Sequence, residues 1–191
     1  MPVPAITTAN AAAATMINVI SVSAVNGASS TSAESSIAVE ASLPPLSSSE
    51  AVEAAKDADY VIFVGGLNKS DHQDSEGADR LQLDLPYHQE DVIRALAPVA
   101  KNLVVVNISG SPVSMPWADV AGAIVQGWYG GTESGNALAD VLTGKVNPSG
   151  KMPFTVPFKY DDGPIKTVRQ YPGIKEENDE YWQTHYDEGI Y

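Results

Sequence analysis

Leu103-Val104-Val105-Val106-Asn107-Ile108 constrains this chain more than any other stretch. A continuous β-branched run of strand length, with no polar alternation along it, suits a strand covered on both faces. That is the habit of parallel sheets flanked by helices. A second such run, Asp59 to Val64 (Asp-Tyr-Val-Ile-Phe-Val), precedes it and is broken by Gly65 and Gly66. Between the two lie a polar loop, residues 68–80, and an amphipathic segment from Tyr87 to Leu96. Pro86 opens that segment, and Val92, Ile93 and Leu96 form its buried stripe. Strand, loop, helix and strand in this order predict a parallel pair joined by a crossover.

The rest of the chain repeats the theme. Ser48 or Ser49 caps an expected helix over Glu50 to Lys56, with Glu53 placed for a capping box. Ala123 to Trp128 reads as a further strand with Tyr129-Gly130-Gly131 as its loop, and Glu133 to Leu142 as a helix with Gly144 at C′. Met16 to Val25 alternates enough for a first strand, Ile37 to Ala41 for a short second one. The Ala/Thr-rich residues 1–15 read as frayed or irregular. Phe154-Thr155-Val156, bracketed by Pro153 and Pro157, suits a short edge strand. The predicted fold is α/β: a three-layer sandwich with a mostly parallel sheet and helices on both faces. Residues 46–158 make its core and residues 1–45 an N-terminal segment with one or two strands. Residues 159–191 form an irregular tail rich in Tyr, Asp and Glu.

Composition narrows the function classes. A formal charge of −13 leaves nothing to neutralise phosphates, so nucleic acid is excluded as a partner. Lys and Arg never cluster, which argues equally against an anionic membrane surface. The chain has no cysteine, and with it go disulfides, thiolate metal sites and Cys nucleophiles. There is no basic n-region followed by an apolar h-region, and no run of the ~18 apolar residues a membrane span needs. His72, His88 and His185 lie far apart without metal spacing, so no metal is expected. Gly65-Gly66 and Gly130-Gly131 fit neither a dinucleotide fingerprint nor a P-loop, and no nucleotide cofactor is expected; tight turns are their simpler use.

The loop after the first parallel strand concentrates what chemistry there is. In parallel sheets reactive groups gather where strands end at their carboxyl side. Asp71, His72, Asp74, Glu76, Asp79 and Arg80 all fall there, a pattern that a solvated acidic loop would also show. Asp74 and Glu76, one residue apart on extended backbone, share a side. Crowded carboxylates raise one another's pKa, which suits a proton donor near neutral pH. Asp79 and Arg80 read as an ion pair holding the loop's shape.

The order of motifs carries a resemblance. It begins with Gly66-Leu67-Asn68, Asp74-Ser75-Glu76-Gly77-Ala78-Asp79-Arg80 and Leu83-Asp84-Leu85-Pro86. It continues through Ser109-Gly110-Ser111-Pro112-Val113, Met115-Pro116-Trp117-Ala118, Trp128-Tyr129-Gly130-Gly131 and Glu133 to Leu142. Gly144 to Pro153 and Tyr186 to Tyr191 complete it. Together these resemble the C-terminal α/β domain of glycoside hydrolase family 3, which includes β-glucosidases and β-xylosidases. The resemblance covers about Glu50 to Tyr191. It implies a β-linked oligosaccharide or glycoside as substrate and no cofactor. The family's usual loop pattern is Glu-x-Glu-Gly-x-Asp-Arg, whose first Glu resembles the general acid/base. Here Asp74 stands at that place, one methylene shorter, and misplacing an acid by about 1 Å can cost roughly a hundredfold in rate. Asp74 is therefore favoured by position and Glu76 by length, with His72 and Arg80 as substrate-binding candidates. The family's nucleophilic Asp belongs to an N-terminal (β/α)8 barrel, which nothing in this chain resembles. Retaining hydrolysis needs two carboxyl groups about 5–5.5 Å apart, so the chain is expected to supply one and a barrel partner the other. The alternative is a non-catalytic α/β module binding carbohydrate or protein through the same loop and the aromatic tail.

Overall fold

The computed structural model describes residues 5–11, 17–23, 45–46, 48–70, 72–163 and 165–185. Its strands are β1 (Ala5–Ala11), β2 (Ile17–Ser23), β3 (Pro45–Leu46), β4 (Tyr60–Gly66), β5 (Leu103–Ile108) and β6 (Ala123–Gln126). The helices are α1 (Ser48–Lys56), α2 (Gln89–Leu96) and α3 (Ser134–Leu142). One sheet runs in the order β3-β1-β2-β4-β5-β6. β4, β5 and β6 are parallel, with Val61 level with Leu103 and Val104 level with Ala123. β2 adds antiparallel to β4, and β1 antiparallel to β2.

Strand alternation divides the core into two layers. Val61 and Phe63 on β4, with Leu103 and Val105 on β5, face one side. There they pack with Ala51 and Ala55 of α1, Val92, Ile93 and Leu96 of α2, and Trp117. Ile62 and Val106 face the other side, joined by Val64, Val104, Ile108, Val125 and, from α3, Leu138 and Leu142. Helices thus cover both faces of an α/β sheet, as expected. Burial of these apolar groups at about 25 cal/mol per Å² is the driving term for that layering. No helix among the described residues is long and apolar enough to cross a membrane.

Several boundaries move, each for a local reason. Residues 5–11 form β1 rather than an irregular start, because pairing with β2 supplies a tertiary partner that Ala/Thr propensity does not announce. α2 begins at Gln89, since Tyr87 and His88 take left-handed backbone angles (φ 61° and 58°) that no α-helix accommodates. β6 stops at Gln126, after which Gly127 donates to the Asn107 carbonyl and Trp128 turns left-handed at φ 55°. Phe154–Val156 makes no strand; Phe154 instead sets its ring edge-on to Trp128 at 5.5 Å. Gly144, at φ 76°, does end α3 as expected. The short strand expected at Ile37–Ala41 and the motif Tyr186–Tyr191 lie outside the described residues.

Candidate functional site

The parallel register sets Gly66 beside Ile108 and Asn107 beside Gln126, so three strands end level with one another. Their loops leave from one edge and meet above it. The close fit at the end of β4 explains the glycine pair. Gln89, wholly buried on α2, accepts from the Gly66 N–H at 2.7 Å and donates to the Gly66 carbonyl at 2.8 Å. A Cβ on Gly65 would lie 2.2 Å from Gln89 Oε1, and one on Gly66 1.9 Å from the Ile108 carbonyl oxygen. The glycines make room for this helix–strand contact.

The loop from β4 is knit from within. Ser70 N donates to Asn68 Oδ1 at 2.7 Å, and Gln73 Oε1 accepts from Asn68 N at 3.0 Å. Gln73 Nε2 reaches the Tyr87 hydroxyl at 2.7 Å. Asp74 N then donates to the Asn68 carbonyl at 3.0 Å, turning the Asp74 side chain toward the neighbouring loops. Its carboxylate accepts from Gly110 N at 2.7 Å, from the Ser111 hydroxyl, and from the Tyr129 hydroxyl at 2.8 Å. One residue from β4's loop thereby joins the loops that follow β5 and β6.

Burial by itself would raise Asp74's pKa. The bonds from Ser111, Gly110 and Tyr129, with Arg80's positive charge nearby, outweigh it and hold the carboxyl below its ordinary range. Tyr129 moves the other way: burial first, then its bond to the Asp74 carboxylate, push the phenol well up. Arg80 makes no ion pair with Asp79, contrary to the expectation from sequence. Its guanidinium donates to the carbonyls of Pro112 and, at 2.9 Å, Leu83, and to Ser111 Oγ at 3.2 Å. A five-donor fork suits this gathering of turn carbonyls better than a single carboxylate would.

Beside this clasp opens a groove of about 1080 Å³, walled by Asp74, Glu76, Arg80, Leu81, Tyr129 and Tyr171 among others. Asp74 lies at the wall with its oxygens engaged. Glu76 is exposed and, among the described residues, has no hydrogen-bond or ion-pair partner. His72 points elsewhere: its Nδ1 pairs with the Asp79 carbonyl at 2.9 Å, at a left-handed φ of 61°. Asp74, Glu76 and Arg80 are therefore brought together at one groove, and His72 is not among the residues walling it. Tyr129, Gly110 and Ser111 escaped the reading of the sequence as site residues. Their signal was positional, since each directly follows the carboxyl end of a predicted parallel strand. Among the described residues no group of three or more acidic or His side chains is placed to hold a metal ion.

Comparison with known proteins agrees with this architecture. The family model for the glycosyl hydrolase family 3 C-terminal domain matches residues 5–191. The chain is similar to the β-glucosidase BoGH3A of Bacteroides ovatus, 53% identical over 126 residues, which is 65% of this chain and 17% of that protein. A probable β-glucosidase J of Aspergillus fumigatus is 49% identical over 115 residues, 60% of this chain and 13% of that one. Among solved structures, the family 3 β-glucosidase of Bifidobacterium adolescentis superposes with a TM-score of 0.59 at 44% identity, over 67% of this chain and 18% of its own. The β-glucosidase DesR of Streptomyces venezuelae, solved with D-glucose, gives 0.62 at 33% identity, over 72% and 16%. The chain thus spans less than a fifth of the curated relatives it matches. A sheet with helices on both faces, loops meeting at its carboxyl edge and a family model matching nearly its whole length place this chain in glycoside hydrolase family 3, as a C-terminal domain.

Proposed function

We propose that this chain supplies the general acid/base of a retaining β-glycosidase acting on β-glucosides or β-xylosides, and that Glu76 is that group. A (β/α)8 barrel would supply the nucleophile. The observation that carries the reading is the contrast between neighbouring carboxylates. Asp74 accepts three hydrogen bonds, which favour its ionised form and commit its oxygens to the neighbouring loops. Glu76 faces the groove and, among the described residues, has no hydrogen-bond or ion-pair partner, so its carboxyl is left available to a glycosidic oxygen. The same side chain, once ionised, would draw a proton from the water that resolves the glycosyl intermediate. The names of the relatives, both β-glucosidases, support β-glucosides within that class.

The barrel as partner draws support from the surface. Phe158, Val168, Tyr181 and Trp182 are exposed large side chains, Tyr181 at 69% and Trp182 at 57%. Large apolar side chains left exposed in this number suit an interface. The share of each relative that the chain spans points the same way.

The test has two stages. The isolated chain is expected not to turn over aryl β-glucosides, because one carboxylate cannot both form and resolve the intermediate. With a family 3 barrel supplied, Glu76→Gln should lower kcat on poor leaving groups by roughly 10²–10⁴-fold. It should spare dinitrophenyl glycosides, which leave with little protonation. Equal losses on both substrates would overturn the assignment of Glu76. Sugar binding without turnover, barrel present, would favour a non-catalytic binding module.

A further inference from the structure

We propose that Asp74 is a positioning residue: its carboxylate clasps the loop after β4 to those after β5 and β6, and so fixes where Glu76 stands in the groove. The inference rests on the reading of Glu76 as the acid but not on its being right about the substrate. The geometry is specific. Only Ser75 separates Asp74 from Glu76, so the point at which Asp74 is pinned sets the path of the backbone carrying Glu76. The pin draws on both partner loops at once, taking Gly110 N and Ser111 Oγ from one and the Tyr129 hydroxyl from the other. Ser111 Oγ also accepts from Arg80, whose guanidinium holds the returning limb of the same loop through Leu83.

The anchor behind the clasp is built into the sheet. Buried Asn107 donates to Ser109 Oγ at 2.9 Å and to Gln126 Oε1 at 2.8 Å. Gln126 Nε2 donates to the Ser109 carbonyl at 2.9 Å, and Ser109 Oγ to the Ser111 carbonyl at 2.9 Å. The turn that receives Asp74 is thereby tied to two adjacent parallel strands. Gly110 completes the fit. A Cβ there would lie 3.1 Å from the Tyr129 ring, pressing on it, and at ordinary contact distance, 3.5 Å, from Asp74 Oδ2. A carboxylate held by three donors loses most of its grip on protonation, so the clasp opens in acid. Among the described residues, Arg80 and Tyr129 are the titratable groups acting on Asp74, and Asp84 acts in turn on Arg80.

Amide hydrogen exchange on the full 191-residue chain tests this without any turnover. At neutral pH, Asp74→Asn should speed exchange across residues 67–80 by about tenfold or more, as expected for loss of charge-assisted bonds, while β5 stays protected. In the wild-type chain, exchange in that loop, corrected for intrinsic rates, should accelerate as pH falls below the ordinary carboxylate range. The step should be absent in Asp74→Asn. Tyr129→Phe removes one donor and should move it to higher pH, which a merely space-filling Asp74 would not do. Loop protection that ignores pH, or a step unmoved by Tyr129→Phe, would overturn the proposal. If Asp74→Asn does not fold, the wild-type and Tyr129→Phe titrations decide alone. A clasp that behaves as described, beside a Glu76→Gln variant that keeps full activity on poor leaving groups when a barrel is supplied, would refute the acid assignment and leave the clasp standing.

Discussion

Single carboxyls in this domain carry different burdens. Asp74's folded pKa is depressed, so its contribution to stability is present above the unfolded value of about 4 and is lost as pH falls through the folded one. Denaturant midpoints of wild type and Asp74→Asn should therefore lie furthest apart near neutrality and converge in acid. A gap that stayed constant down to low pH would contradict this sign. Arg80 is the second residue with a measurable role. Truncation to Ala strands the Pro112 and Leu83 carbonyls in a partly buried turn and should cost about 1–3 kcal/mol in urea unfolding. Lys, with one point charge and no fork, should recover only part of that loss. Asn107 closes the residue scale. It heads an Asn-Ile-Ser sequon, yet its side chain is buried and bonded to Ser109 and Gln126, so it is no glycan acceptor in the folded domain.

At the level of elements, the packing of α2 against β4 and β5 decides whether the site is assembled. Ile93 is fully buried in that layer, and Ile93→Ala should cost about 2–5 kcal/mol. Ile124, on edge strand β6 and 38% exposed, should tolerate the same change far better, and comparing the two denaturation curves checks the layering. Gly66→Ala tests the close approach at the strand end. Its Cβ would meet the Ile108 backbone at a φ of 140°, so it should destabilise by on the order of 1–3 kcal/mol or more. It should also displace the loop that starts at Leu67. Unchanged stability in Gly66→Ala would show that β4 and β5 separate more readily than their register implies.

Across the whole molecule, regular backbone pairing thins out from the sheet toward the tail. Residues 165–185 hold few backbone bonds of sheet type, an isolated bridge between Ile174 and Gln183 being the one described. Amide exchange there should run well ahead of Leu103–Ile108, with Ile174 and Gln183 as local exceptions. Protection across the tail equal to that of β5 would mean that its exposed aromatics find cover within the chain. Tyr160 and Tyr171 matter in this respect because they wall the groove, joining the tail to the site.

The two continuous β-branched runs and the amphipathic stripe between them determined the parallel β4–β5 pair, the helix that packs on it and the edge where chemistry would gather. These follow from periodicity and strand polarity, which are local properties. The carboxyl-rich loop was visible for the same reason. What sequence could not decide was the division of labour inside it. Asp74 and Glu76 differ by a methylene on paper. They part company only when Gly110, Ser111 and Tyr129, 36 to 55 residues further along, supply the donors that engage one and leave the other unpartnered. Arg80 likewise turned from its sequence neighbour Asp79 to carbonyls across the turn, and β1 formed because β2 offered it an edge. Contacts between residues distant in the chain depend on how strands register and loops converge, and that is set by the packed sheet as a whole.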